Sequence, residues 1–88
     1  MATADFILLG RPECHLCEDF EAELRAHWPA DGALQLRVAD VDDRGEWRMR
    51  YGARIPVLLD ADGEVALEGR FDLQRWQAVC ARVQNRGG

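Results

Sequence analysis

The stretch Phe6-Ile7-Leu8-Leu9-Gly10-Arg11-Pro12-Glu13-Cys14-His15-Leu16-Cys17 decides the fold of this chain. An apolar run suited to an interior strand gives way to a short polar loop. Two cysteines, two residues apart, then open a segment of helical periodicity. Strand, loop and Cys-x-x-Cys at a helix start is the order expected of a thiol–disulfide redox site. The pair can close a small disulfide ring, and it can also hold a metal.

The position favours thiolate chemistry. A helix N-terminus carries unpaired N–H groups and about half a positive charge, which stabilises a nearby thiolate. The thiolate is the nucleophile of disulfide exchange. An ordinary cysteine, with pKa ~8.5, is only slightly ionised at neutral pH. A shift to ~6–7, as helix N-termini produce, makes about half or more of it reactive. Cys14, nearer solvent, is expected to attack, and Cys17, deeper by one turn, to resolve the mixed disulfide. Arg11 and a protonated His15 add positive charge, whereas Glu13, Glu18 and Asp19 oppose it.

Working outward, the first strand spans roughly Asp5–Leu9. The first helix spans about Cys14–His27, with an apolar stripe of Leu16, Phe20, Leu24 and Trp28, and ends at Pro29 and Asp31-Gly32. Leu34, Leu36 and Val38 alternate with polar residues in a second strand reaching Asp40. Asp42 or Asp43 caps a short second helix, with Trp47 and Tyr51 on one face and Gly52 as the stop. Val57-Leu58-Leu59 forms a third strand, and Asp62-Gly63 turns into a fourth bearing Val65 and Leu67. Asp72 caps a last helix bearing Leu73, Trp76, Val79, Cys80 and Val83. The order β-α-β-α-β-β-α describes an α/β domain with a parallel βαβ start, an added hairpin, and helices on both faces of a four-stranded sheet. One domain over residues 1–88 is expected, with residues 85–88 as a loose tail.

The chain has 88 residues, 48% of them hydrophobic, so a packed core is available. The net charge of −5 argues against nonspecific binding to nucleic acid or anionic membrane. All 11 basic residues are arginine. Apolar runs are too short to span a bilayer, and the first residues lack a signal-peptide pattern. A reducing cytoplasm is the expected location, where a close cysteine pair is more often catalytic or metal-binding than structural.

The strand order, together with Cys14-His15-Leu16-Cys17 and Arg54-Ile55-Pro56-Val57 at the third strand, resembles the thioredoxin fold in its small, glutaredoxin-like form, as found in bacteria. The resemblance covers roughly Asp5–Val83. It implies a cis Ile55–Pro56 bond beside the cysteines, with the Ile55 backbone offering strand-like hydrogen bonds to a bound thiol peptide. It also implies dithiol reduction of protein disulfides or glutathionyl mixed disulfides, with glutathione as a co-substrate and no required cofactor or metal, by a monomer. Arg11, Arg54, Ile55, Gly69, Arg70 and Asp72 are the implied substrate or glutathione contacts. Two departures stand out. His15 and Leu16 replace the Pro and aromatic residue usual between the cysteines, and Arg70 occupies the place of a second glycine, where ligand backbone would approach closely.

Competing readings attach to several residues. The fold can serve as a binding or redox-sensing module, or bridge a metal across a dimer, because fold does not set function. His15 can be a solvated neighbour of the site, and His27 suits a helix C-terminus. Cys80 and the three tryptophans fit core packing, although Trp47 and Tyr51 could instead form a partner surface. Asp40, Asp42 and Asp43 lack the glycine and glutamate of an EF-hand loop and suit a strand end and a cap. Arg50, Arg54 and Arg70 either bind substrate carboxylates or pair with nearby acids. Glu18, Asp19, Glu21 and Glu23 form the solvated side of the first helix.

Overall fold

The computed structural model describes residues 4–86. Its elements are β1 (Ala4–Gly10), α1 (His15–Ala26), β2 (Leu34–Asp40), a 3-10 turn (Val41–Asp43), α2 (Gly45–Tyr51), β3 (Val57–Leu59), β4 (Val65–Glu68) and α3 (Leu73–Arg86). The sheet order is β2-β1-β3-β4. β1 and β2 are parallel, and β3 is antiparallel to both β1 and β4. This is the mixed four-stranded α/β arrangement expected from the sequence.

Alternation along β1 divides the interior between two layers. Phe6 and Leu8 face α1 and α3, joining Phe20, Leu24, Leu58, Leu67, Trp76 and Val79. Leu9 faces the opposite way, joining Val41, Tyr51, Val57 and Leu59 beneath α2, with Ile7 packed against that cluster. Trp76 and Trp28 stack with ring centroids 5.0 Å apart, and both meet Phe6 edge-on. The indole N–H of Trp76 donates to the His27 carbonyl at 3.0 Å, and that of Trp28 donates to Leu34 O at 3.1 Å. The polar atoms of both rings are thus satisfied at the end of α1. Trp47 packs against the α2-side core.

Four local expectations change. Leu16 is 56% exposed, and the inward face of α1 is Cys17, Phe20 and Leu24. The stripe is rotated by one residue because Cys17 takes the inward place in the first turn. α2 begins after Arg44 without a side-chain cap, so neither Asp42 nor Asp43 caps it. Instead Asp40 accepts the Asp42 N–H at 2.9 Å and opens the 3-10 turn. Val38 is 49% exposed because β2 is an edge strand. α3 continues to Arg86, so Asn85 and Arg86 are helical, while Gly87 and Gly88 of the expected tail lie outside the described residues.

Asp72 does cap α3, its Oδ1 accepting the Arg75 N–H at 3.2 Å. The β3–β4 turn closes around Asp60, whose side chain accepts from Asp62 and Glu64, with Gly63 at φ +81°. No helix among the described residues is long and apolar enough to cross a membrane.

Candidate active site

Strand register gathers the sequence-predicted residues at one end of the sheet. Gly10 pairs with Asp40, Leu9 with Val57, and Val57 with Glu68. The chain leaving β1 toward the cysteines, the peptide entering β3 at Pro56 and the loop after β4 at Gly69 therefore share that end. Pairing of adjacent strands brings together segments far apart in sequence.

Cys14 is the N-cap of α1, with extended backbone, and Glu18 N–H donates to its carbonyl at 3.0 Å to start the helix. Glu13 just before it has φ 63°, a left-handed turn that swings the chain from the loop into the helix. Cys14 and Cys17 form a disulfide with Cα atoms 5.2 Å apart. Cys14 is half-buried, and Cys17 is 8% exposed. The backbone N–H of Cys17 donates to Sγ of Cys14 at 3.2 Å. That sulfur occupies the place of an N-cap oxygen, where helix N–H groups favour negative charge. Behind the pair, a β-carbon on Gly10 would stand 3.1 Å from both Cβ and Sγ of Cys17. Glycine at the end of β1 lets the second cysteine sit against the strand.

Ile55–Pro56 is cis, and Pro56 is buried. The Ile55 N–H and C=O make no hydrogen bond among the described residues. Pro56 O accepts the Gly69 N–H at 2.8 Å, tying the end of β4 to the start of β3. Gly69 has φ +80°, which an L side chain adopts at a cost.

The arginines are arranged differently from a carboxylate-binding ring. Arg11 Nε and Nη2 hold the two oxygens of Asp42 at 2.9 and 3.1 Å, and Nη1 donates to Gly52 O at 3.0 Å. Its guanidinium keeps the Asp42 carboxyl below the ordinary carboxylate range, chiefly through these hydrogen bonds. Arg11 thus fastens the loop before the cysteines to the 3-10 turn and to the end of α2. Arg54 is bidentate to Glu68, both bonds 2.8 Å, and lowers that carboxyl in the same way. Arg50 pairs with Glu46 at 3.4 Å. Arg11 and Arg54 each hold a carboxylate of the chain, and for Arg54 this is the pairing with a nearby acid that the sequence offered beside ligand binding. Arg70 has no ion-pair partner among the described residues. Asp72 serves α3 as its cap. The His15 side chain is 94% exposed and lies 3.7 Å from Glu18 through Nδ1. Burial, with Asp31 adding to it, pushes the Cys80 thiol up, and Cys80 packs against the α1/α3-side core.

Sequence inspection missed Asp42 and Glu68 as arginine partners and Gly10 as the backing of Cys17. Asp42 and Glu68 lie 31 and 14 residues from those partners. Gly10, immediately after the apolar run, carried the one local signal.

A groove of about 380 Å³ runs from Leu16 along α1, between that helix and the Gly69–Phe71 loop. A second, of about 250 Å³, lies between α1 and β2 and reaches Cys17 from the other side. Among the described residues, no three of His, Cys, Asp or Glu come together as a metal-binding group.

The family profile described as Glutaredoxin-like domain (DUF836) matches residues 5–85. Among solved structures, the X-ray structure of structural-genomics target XcR50 from X. campestris is 31% identical, covering 88% of this chain and 96% of that one, with a TM-score of 0.68. The solution NMR structure of protein Ne2328 from Nitrosomonas europaea is 25% identical, covering 90% and 93%, with a TM-score of 0.74. No curated protein matches the sequence. With its Cys14–Cys17 pair on a thioredoxin-like fold, the chain belongs to the glutaredoxin-like domain family.

Proposed function

We propose that the chain is a thiol–disulfide oxidoreductase that reduces protein disulfides or glutathionyl mixed disulfides through Cys14 and Cys17. One observation carries this reading: a half-buried Cys14 sulfur caps α1 and receives the Cys17 N–H, while Cys17 sits buried one turn deeper.

In the reduced protein the Cys14 thiolate attacks one sulfur of the substrate disulfide. A Cys14–substrate bond forms, and the other half of the substrate leaves as a thiolate that takes up a proton. Cys17, deprotonated, then attacks Sγ of Cys14 and releases the second half. Two electrons pass from the dithiol to the substrate, and the Cys14–Cys17 disulfide remains. The Ile55 N–H and C=O are free to pair with the extended backbone of a bound peptide, holding its sulfur beside Cys14. Arg11 and Arg54 act as positioning residues for the surrounding loops. A thiol reductant of the cytoplasm regenerates the dithiol, and no metal or organic cofactor takes part.

The test is single-turnover reaction of the prereduced protein with a disulfide-bonded peptide, followed by mass spectrometry. Cys17→Ser is expected to accumulate the peptide covalently on Cys14, and Cys14→Ser to react no faster than a free thiol. Absence of an adduct on Cys14, with both variants reacting like the parent protein, would remove dithiol catalysis and leave a binding module.

A further inference from the structure

We infer that this site takes a polypeptide disulfide carrying an apolar and a cationic side chain next to its cysteine, in preference to the anionic glutathionyl group. The inference rests on the redox reading above and narrows it.

The groove that starts at Leu16, between the two cysteines in sequence, is lined by Leu16, Asp19, Phe20, Glu23, Arg70 and Phe71. Leu16, between the two cysteines, is 56% exposed and offers an apolar surface at the end of the groove nearest them in sequence. Phe71, half-buried, packs edge-on against Phe20 at 5.9 Å and gives the groove a fixed apolar floor. Asp19 and Glu23, one helical turn apart, carry the rim on α1, and neither has a hydrogen bond or ion pair among the described residues. Against these two carboxylates stands one cation, Arg70.

A glutathionyl group brings two carboxylates and one ammonium. Its recognition calls for uncommitted cations near the cysteines. Arg11 and Arg54 are instead held bidentate by Asp42 and Glu68. Recruiting either would break an internal pair, and the groove rim would oppose the incoming charge. A lysine or arginine on a protein substrate meets Asp19 and Glu23 at no such cost, and an adjacent apolar side chain covers Leu16. The redox step is unchanged: Cys14 forms the mixed disulfide, the first substrate thiolate leaves, and Cys17 displaces the second.

The experiment uses the prereduced full chain and four disulfides in single turnover, with rates divided by those of dithiothreitol on the same compounds. Three are symmetric dimers of a capped five-residue peptide in which cysteine is followed by leucine and then by lysine, glutamine or glutamate. The fourth is glutathione disulfide. At low ionic strength the lysine peptide is expected to react about three- to tenfold faster than the glutamate peptide, with glutathione disulfide slowest. Raising salt to ~1 M shrinks that spread in the unaltered protein, because screening acts over about 3 Å there. The double variant Asp19→Lys, Glu23→Lys, checked for folding by circular dichroism, inverts the order. Fast reaction with the glutamine peptide but no dependence on charge, or glutathione disulfide reacting fastest, overturns this inference and leaves the redox reading standing. Rates no higher than those of Cys14→Ser with all four compounds overturn both.

Discussion

The N–H of Cys17 lies 3.2 Å from the sulfur of Cys14, so the second cysteine stabilises the first through its backbone before its own sulfur takes part. The arrangement follows from Cys14 being the N-cap and Cys17 the third residue of α1. Negative charge on the cap sulfur is favoured by that donor and by the helix dipole. In the reduced protein, alkylation of Cys14 by iodoacetamide is expected to show a pH midpoint well below the ordinary ~8.5. Cys14→Ser should remove that low-pH phase. Cys80 should alkylate slowly throughout, since burial disfavours its thiolate. A Cys14 midpoint at or above ~8.5 would show that burial and Glu13, Glu18 and Asp19 outweigh the helix terminus.

Gly10 decides how closely Cys17 can sit to the sheet. An alanine there would put its β-carbon 3.1 Å from the Cys17 Cβ and Sγ, so the cysteine or the strand must shift by a few tenths of an ångström. Overpacking of this kind typically costs about 1–3 kcal/mol. Gly10→Ala is expected to lower the urea midpoint and to slow resolution more than attack. The mixed disulfide on Cys14 would then become visible with Cys17 still present. An unchanged ratio of the two rates would show that the sulfur relaxes freely.

How much of this was legible in the sequence depended on whether the determinant was local. Strand, loop and Cys-x-x-Cys are written within twelve residues, and the Asp72 cap within four, so both survive contact with the structure. The inward face of α1 was misplaced because Leu16 outranks Cys17 in hydrophobicity, whereas the helix phase set by Phe20 and Leu24 buries Cys17. Asp40 caps the 3-10 turn that Asp42 and Asp43 belong to, and α2, for which either was the expected cap, starts two or three residues later without a side-chain cap. The Arg11–Asp42 and Arg54–Glu68 pairs could not be read at all. Which carboxylate an arginine finds depends on strand order, and charge content does not encode it. The site was thus visible as a list of residues, while the division of its arginines between ligand and scaffold was not.

Trp76 supplies the prediction for the core. It is 1% exposed, stacks on Trp28 and donates to the His27 carbonyl, joining α3 to the end of α1. Trp76→Ala is expected to cost about 3–5 kcal/mol by urea unfolding. Trp76→Phe keeps most of the ring packing but leaves the His27 carbonyl without its donor, and should cost less. Equal losses for the two variants would mean that the indole N–H, rather than ring volume, secures this junction.

The two arginine pairs give the molecule a signed response to acid. Asp42 and Glu68 have folded-state pKa values lowered by hydrogen bonds from Arg11 and Arg54. A carboxyl whose pKa is lower folded than unfolded binds fewer protons in the folded state. Its contribution to stability is therefore complete above the ordinary range and lost as pH falls through the lowered value. With unfolded values near ~3.9 for Asp and ~4.3 for Glu, the contribution should be intact above about pH 5.5 and decline below about pH 4. Both pairs are solvent-exposed, so each effect is small and weakened by salt. Thermal unfolding of Asp42→Asn and Glu68→Gln against the unaltered protein should show a Tm gap at neutral pH that closes toward pH 2.5. Asp42→Asn should additionally slow attack by Cys14, because Arg11 links the loop that carries it to the 3-10 turn and to Gly52. Glu68→Gln instead frees Arg54, a cation next to Ile55, and should speed reaction with glutathione disulfide. A gap that widened in acid, or faster attack in Asp42→Asn with slower reaction of glutathione disulfide in Glu68→Gln, would contradict the positions these arginines hold.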